Sequence, residues 1–313
     1  MLLSLIEIVI SIVILWIGAD LAISSVEKFT HRLRARSFAV SFLILGFLTS
    51  LSEISLGVNA VLDGEPQMFV GNLIGASIVI MLFIVPLLAI INNGVKLDFG
   101  ETKHNLPLAL VVISMPVFLV LDKTMSNIDA IIIIVLFVVL SFSIQRDKGL
   151  LSTIENLENA ITKRNTNFFK DILKIFIGSF LIITTSKVIV DNTVVLADTF
   201  GISTFVIGLL LLSIGSNIPE LSVLFYATLK KKRSIALGDY LGSASFNSFL
   251  IGILTVLNQK SIVIESGLKL NLLILPFGAL ALLILSKGKI VSKKTGWLLM
   301  ALYLAFVITE LFA

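Results

Sequence analysis

Cysteine is absent from the 313-residue chain, and histidine occurs only twice. The first absence excludes disulfides, thiolate metal sites and a cysteine nucleophile, and the second argues against a histidine-built metal centre. Charge is scarce too: Asp, Glu, Lys and Arg make up 14% of the residues, against about 25% in soluble domains. Hydrophobic residues make up 57%, and the mean hydropathy is +1.06. Such a chain cannot cover a water-facing surface. That excludes a soluble enzyme, a disordered chain and, despite a net charge of +4, a nucleic-acid binder. Neither a GxxxxGK[ST] loop nor a long soluble segment occurs, so no nucleotide partner and no ATP drive is expected. What remains is a polytopic membrane protein. It is expected to be no enzyme and to carry no cofactor, and its function must be read from the few polar residues inside its apolar segments.

A crossing needs about 20 mostly apolar residues. About ten spans are predicted, near 2–24, 38–62, 67–91, 106–121, 127–145, 169–194, 203–229, 234–257, 268–286 and 295–312. The first is not a signal peptide, because it is too long and its first basic residue is Lys28. Nineteen Lys and Arg fall in alternate loops, including the run Lys230–Arg233, against three in the other set, Lys123, Lys260 and Lys269. The positive-inside rule then makes the basic loops cytoplasmic, in a multi-pass cell-membrane protein with both termini extracellular. The polar stretch 146–168 reads as a cytoplasmic linker between two halves, 1–145 and 169–313.

The halves repeat one another. Adding 167 to a position finds its counterpart without gaps from about Ser37 to Ile84: Phe38 with Phe205, Glu53 with Glu220, Ser55 with Ser222, Gly71 with Gly238 and Gly75 with Gly242. Inside the copies, Asp63-Gly64-Glu65 aligns with Lys230-Lys231-Lys232, so the same loop faces opposite sides. Five spans per half require the same inversion. Inverted repeats point to a secondary transporter whose site lies at the midplane.

Two blocks interrupt apolar helices: GFLTSLSEIS, residues 46–55, and SIGSNIPELS, residues 213–222. A carboxylate at membrane depth is expensive and faces a cavity, an ion or a partner. Thr49 with Glu53, and Ser216 with Glu220, share a helical face at i, i+4. Pro219 removes a backbone hydrogen bond, and Gly46 and Gly215 loosen the chain nearby. Carbonyl, hydroxyl and carboxylate oxygens are hard ligands suited to Na⁺ or Ca²⁺. The competing reading makes both glutamates protonated structural groups. Gly71-x-x-x-Gly75 and Gly238-x-x-x-Gly242 permit close helix packing. Asn72 and Asp239 are equally readable as helix-start caps or ligands. Ser243 and Asn247, one turn apart, are better placed to face the glutamates.

On these residues the chain resembles the sodium/calcium exchangers of the cation/Ca²⁺ antiporter superfamily over essentially its whole length. The paired motifs stand as LTSLSE with GNLIGAS and as GSNIPE with GDYLGSA, and Gly18-Ala19-Asp20 is similar to a family motif of the first helix. The resemblance implies an all-α fold of ten helices in two inverted five-helix repeats. It also implies that Glu53 and Glu220 bind Ca²⁺ and Na⁺ in turn, with backbone carbonyls of Thr49 and Ser216 completing the Ca²⁺ site. Ser50, Asn217, Ser213 and Ser243 match positions lining sodium sites, and Asn247 falls between the glutamates. Ile80 and Ala76 replace first-half polar positions, Ser52 stands for the family proline, and Asn217 stands where serine is usual.

The expected function is Na⁺/Ca²⁺ exchange by alternating access, with a single chain as the transport unit and membrane lipid and inorganic cations as partners. The alternatives are Ca²⁺/H⁺ or other divalent cation/H⁺ exchange and, from another class, a channel or a non-transporting sensor on the same scaffold. Asp20 and Lys187 are repeat-equivalent and either support corresponding helix ends or face one another. Trp16, Trp297 and Tyr303 are expected to pack or anchor, and His31 and His104 to lie in loops.

Overall fold

A computed structural model describes residues 2–32, 50–96, 105–145, 166–218, 220–221, 224, 228, 233–264, 270–286 and 290–312. Within a bilayer every backbone polar group must be satisfied inside its own segment, which leaves helix as the form for these apolar runs. The first half contains α1 (Leu2–Arg32), α2 (Leu51–Leu62), α3 (Pro66–Val79), a π-turn (Ile80–Ile84) and α4 (Val85–Ile91). It continues with β1 (Val95–Lys96), α5 (Asn105–Leu119), β2 (Thr124–Met125) and α6 (Asn127–Gln145). The second half contains α7 (Thr166–Phe200), α8 (Thr204–Ile207), a π-turn (Gly208–Leu212), α9 (Ser213–Ser216) and α10 (Arg233–Leu257). After it come β3 (Ile262–Val263), α11 (Ile274–Ser286), β4 (Ile290–Val291) and α12 (Lys293–Phe312).

Each expected span falls on one or more of these helices, the second being described only from Ser50 onward and the seventh continuously only to Ile218. Two edges differ from expectation. The first helix continues to Arg32, because no Gly or Pro stops it between residues 25 and 32. His31 therefore lies in a helix rather than a loop; His104 lies outside the described residues. α7 begins at Thr166, inside the stretch expected as linker, whose residues 146–165 are not described.

The repeat is visible in two small ribbons. β1 pairs antiparallel with β4, Val95 opposite Val291, and β2 pairs with β3, Met125 opposite Ile262. Adding 167 to β1 gives β3, and subtracting 166 from β4 gives β2. Each ribbon is thus the repeat mate of the other, and each joins one strand from each half. The helix α3–α4 ends at the first ribbon and its mate α10 ends at the second. This is the inverted arrangement, and it places the mates' far ends on opposite sides.

α3 and α10 form the centre. Every residue from Met68 to Val79 and from Leu237 to Ser248 is buried. α6 instead presents Ile128, Ile131 and Val135 outward, where acyl chains would lie. Between α3 and the second-half segment α8–α9 the backbones nearly touch. A Cβ on Gly71 would sit 2.1 Å from the Phe205 carbonyl oxygen, and one on Gly75 would sit 2.2 Å from that of Leu209. Pro86 removes the amide that would pair with Leu82, and the π-turn Ile80–Ile84 precedes it. α1 lies along α7, with Gly18 against the Gly178 carbonyl.

Asp20 and Lys187 do not face one another. Lys187 Nζ reaches Asp63 Oδ1 at 2.5 Å and Asp191 Oδ1 at 2.9 Å, tying α7 to the turn after α2, while Asp20 is exposed. Trp16 and Trp297 are also exposed; Tyr303 is buried, with its ring 5.3 Å from Phe83.

Candidate functional site

Ser50 and Asn217 occupy the same repeat position, Ser50 as the cap of α2 and Asn217 directly after α9. Ser50 has φ −82° and ψ 9°, and Asn217, its mate, has φ −88° and ψ 10°. Both values lie in the sparsely populated bridge region, where many active-site residues are found. Glu53 and Glu220 follow three residues after these positions, so each carboxylate sits in the first turn of the helical stretch that follows. That end of a helix favours negative charge.

Both glutamates are buried, at 1% and 0% exposure. Each has one oxygen held by a serine. Ser52 Oγ donates to Glu53 Oε2 at 2.7 Å, and Ser243 Oγ donates to Glu220 Oε1 at 3.1 Å. The remaining oxygens, Glu53 Oε1 and Glu220 Oε2, have no partner. Ser243 has a single proton and gives it to Glu220, so Ser50 is the donor in the 3.3 Å Ser50–Ser243 contact. One hydroxyl thereby joins the two halves of the chain. The two carboxyl groups lie within electrostatic reach of one another. Ser216 lies within reach of Glu53 without a hydrogen bond of normal geometry.

The π-turn ahead of Ser213 explains that residue's role. The Ser213 amide bonds the Gly208 carbonyl, and its hydroxyl donates at 2.5 Å to Leu209 O, the acceptor its amide would take in an α-turn. The hydroxyl proton is spent on the backbone, and the lone pairs remain. Asn217 Nδ2 donates to the Ser213 carbonyl at 2.6 Å, leaving its Oδ1 unpartnered. Asn247 is fully buried with both amide atoms unpartnered.

The structure therefore brings Glu53, Glu220, Ser216, Ser50, Asn217, Ser213 and Ser243 into one buried region spanning both repeats, and Asn247 lies one turn beyond Ser243 on α10. Thr49, Gly46, Pro219 and Ser222 lie outside the described residues. Asn72 and Asp239 are not helix-start caps: Glu65 caps α3, and each residue lies six positions into its helix. Two contacts escaped the sequence reading. Ser52, noted there only as a replaced proline, holds Glu53, and Tyr240 OH donates at 3.1 Å to the Glu220 carbonyl. For Glu53 the adjacent hydroxyl of Ser52 was the available signal; for Glu220, twenty residues from Tyr240, there was none.

Unpartnered oxygens of Glu53, Glu220, Ser216, Asn217 and Asn247 make a hard donor set. Ca²⁺ takes about 6–8 such oxygens. Among the described residues no three His, Asp or Glu side chains gather as a metal cluster, so any ion here depends on two carboxylates plus neutral oxygens.

Known proteins resemble this chain in sequence and in fold. The chain is 25% identical over 250 residues to inner membrane protein YrbG of Escherichia coli, covering 76% of this chain and 77% of that one. It is 34% identical over 142 residues to sodium/calcium exchanger MaX1 of Methanosarcina acetivorans, covering 45% and 41% of the two chains. A solved structure of the sodium-calcium exchanger NCX_Mj superposes with a TM-score of 0.70 over 98% of both chains at 21% identity, so the fold is the same. The profile described as sodium/calcium exchanger protein matches residues 3–144 and 171–312, the two repeats in turn, and the chain belongs to that family.

Proposed function

We propose that this protein is a secondary active antiporter exchanging Na⁺ for Ca²⁺ at a midplane site built on Glu53 and Glu220. The observation that carries the reading is the matched pair of buried carboxylates, each with one oxygen held by a serine and one unpartnered. Two ionised glutamates carry a charge of about −2, which one Ca²⁺ or at least two Na⁺ neutralise. Without either ion, uncompensated charge in low dielectric costs several kcal/mol per ion. The empty carrier then crosses poorly, and exchange becomes obligatory. Sliding of α1 and α7, which lie side by side, past the rigid α3–α10 centre alternates access. The transport unit is a single chain in the cell membrane, with the basic loops cytoplasmic.

The test is ion-substitution flux in proteoliposomes, varying Na⁺, H⁺, Ca²⁺ and Mg²⁺ one at a time. Ca²⁺ uptake driven by internal Na⁺ and lost when choline replaces it is the expected result. Uptake that persists in choline and moves protons would instead establish Ca²⁺/H⁺ exchange, which the apolar Ala76 and Ile80, both fully buried, favour by thinning the sodium positions. Currents without countertransport would establish a channel.

Ser243→Ala removes the donor to Glu220. Hydrogen bonds to charged groups contribute about 1.5–3 kcal/mol, so the half-saturating Ca²⁺ concentration is expected to rise about tenfold. Initial-rate titration of wild type and variant measures this, and an unchanged value would remove Ser243 from the site.

A further inference from the structure

Asp239 is a third carboxylate in the membrane interior, and the exchange scheme above leaves it without a role. It is fully buried and lies six residues, about 9 Å, from the start of α10. Ser243 follows one turn later and Asn247 one turn after that, so one face of α10 carries carboxylate, hydroxyl and amide in sequence. None of the three is more than 1% exposed. This face is turned toward the glutamates, because Ser243 donates to Glu220 Oε1 at 3.1 Å. Beyond Ser243, Asn247 keeps both amide atoms unpartnered, and Glu220 Oε2 is likewise unpartnered. Asp239 interacts electrostatically with Glu220, yet the three acids do not gather into one cluster. Asp239 therefore stands outside the glutamate pair, on the side where α10 begins, opposite the ribbon β2–β3.

The other repeat carries no such charge. Its corresponding positions are Asn72 and Ala76 on α3 and Ile80 at the start of the π-turn, all at most 1% exposed. Because the repeats are inverted, α3 begins at the opposite membrane face. The interior thus has an anionic approach from one side and a neutral, largely apolar approach from the other.

We propose that Asp239 is a staging site for the divalent cation, holding it between the glutamate pair and the membrane face at which α10 begins. A cation shedding water on that route meets a carboxylate before it reaches Glu220. Along α3 from the other face, the position corresponding to Asp239 offers the Asn72 amide instead. The two faces of the carrier then differ in apparent Ca²⁺ affinity, although the central glutamates are repeat mates. The inference rests on the exchange reading above.

The experiment uses the full-length protein in sealed vesicles of both orientations, with the Ca²⁺ concentration for half-maximal initial exchange measured separately at each face. Asp239→Asn copies the repeat mate and conserves volume. Its half-saturating concentration is expected to rise about tenfold at the face where α10 begins and to stay within about twofold at the other. Asn72→Asp, placing the charge on the opposite approach, lowers the value at the other face. An unchanged value at both faces in Asp239→Asn, or an equal rise at both, overturns the proposal. Should Asp239→Asn not elute as a monodisperse species, Asn72→Asp decides: a lower value at its own face supports the staging role, and no change overturns it. Glu53→Gln, assayed in parallel, separates the two failures. Undiminished exchange in that variant, or none in wild type, overturns the exchange reading itself.

Discussion

On the proposed exchange mechanism, Glu53→Gln and Glu220→Gln are each expected to reduce Na⁺-driven Ca²⁺ uptake into proteoliposomes by at least about a hundredfold. Removing one partner from a buried charge set costs about 3–5 kcal/mol, and each 1.36 kcal/mol is about tenfold in rate. With one carboxylate neutral, bound Ca²⁺ leaves a net positive charge in the interior. The amide retains the shape and can still accept from Ser52 or Ser243, so a loss of uptake reports charge rather than collapse. Glu53→Asp, which keeps the charge on a shorter arm, retains a measurable fraction of the flux. Radiolabelled Ca²⁺ uptake is the measurement, and wild-type rates in either Gln variant would refute the assignment.

Gly71→Ala and Gly75→Ala have the largest expected effect on stability. A methyl at these positions would sit 2.1 and 2.2 Å from the carbonyl oxygens of Phe205 and Leu209. The obstruction is main chain, which cannot rotate away as a side chain can. α3 and the α8–α9 segment must separate, at a cost on the order of 3 kcal/mol per substitution, at the upper end for overpacking. The Gly75 methyl would also come 2.8 Å from Ser213 Cβ, so exchange suffers with folding. Thermal unfolding in detergent measures the loss. A midpoint equal to wild type would mean that the helices are not packed this closely. Val58→Ala, at an exposed apolar position on α2, leaves the midpoint unchanged.

The Gly-x-x-x-Gly spacing was only a weak signal in the sequence, because the motif says that a close approach is permitted and not what approaches. The structure supplies the partner, a π-turned segment from the other repeat. Asn72 and Asp239 illustrate the reverse case. Their residue types suggested caps as readily as ligands, since short polar side chains favour helix starts, but both lie well inside buried helices. Burial is a property of the assembled helices and leaves no local trace. The two-residue strands were likewise invisible: a pair of apolar residues after a helix has no period to recognise.

The ten spans, the repeat at 167 and the two glutamates were determined by residue order alone. Apolar runs of bilayer length have one way to satisfy their backbone, and a duplicated acid inside such a run is too costly to be incidental. Residue order could not settle which oxygen of each carboxylate is held and which is unpartnered, that Ser243 links both halves, or that a third acid stands beside the pair on one side. The Ser50–Ser243 link joins segments 193 residues apart, and the other features depend on how the helices pack around the π-turns, which no local stretch of residues fixes.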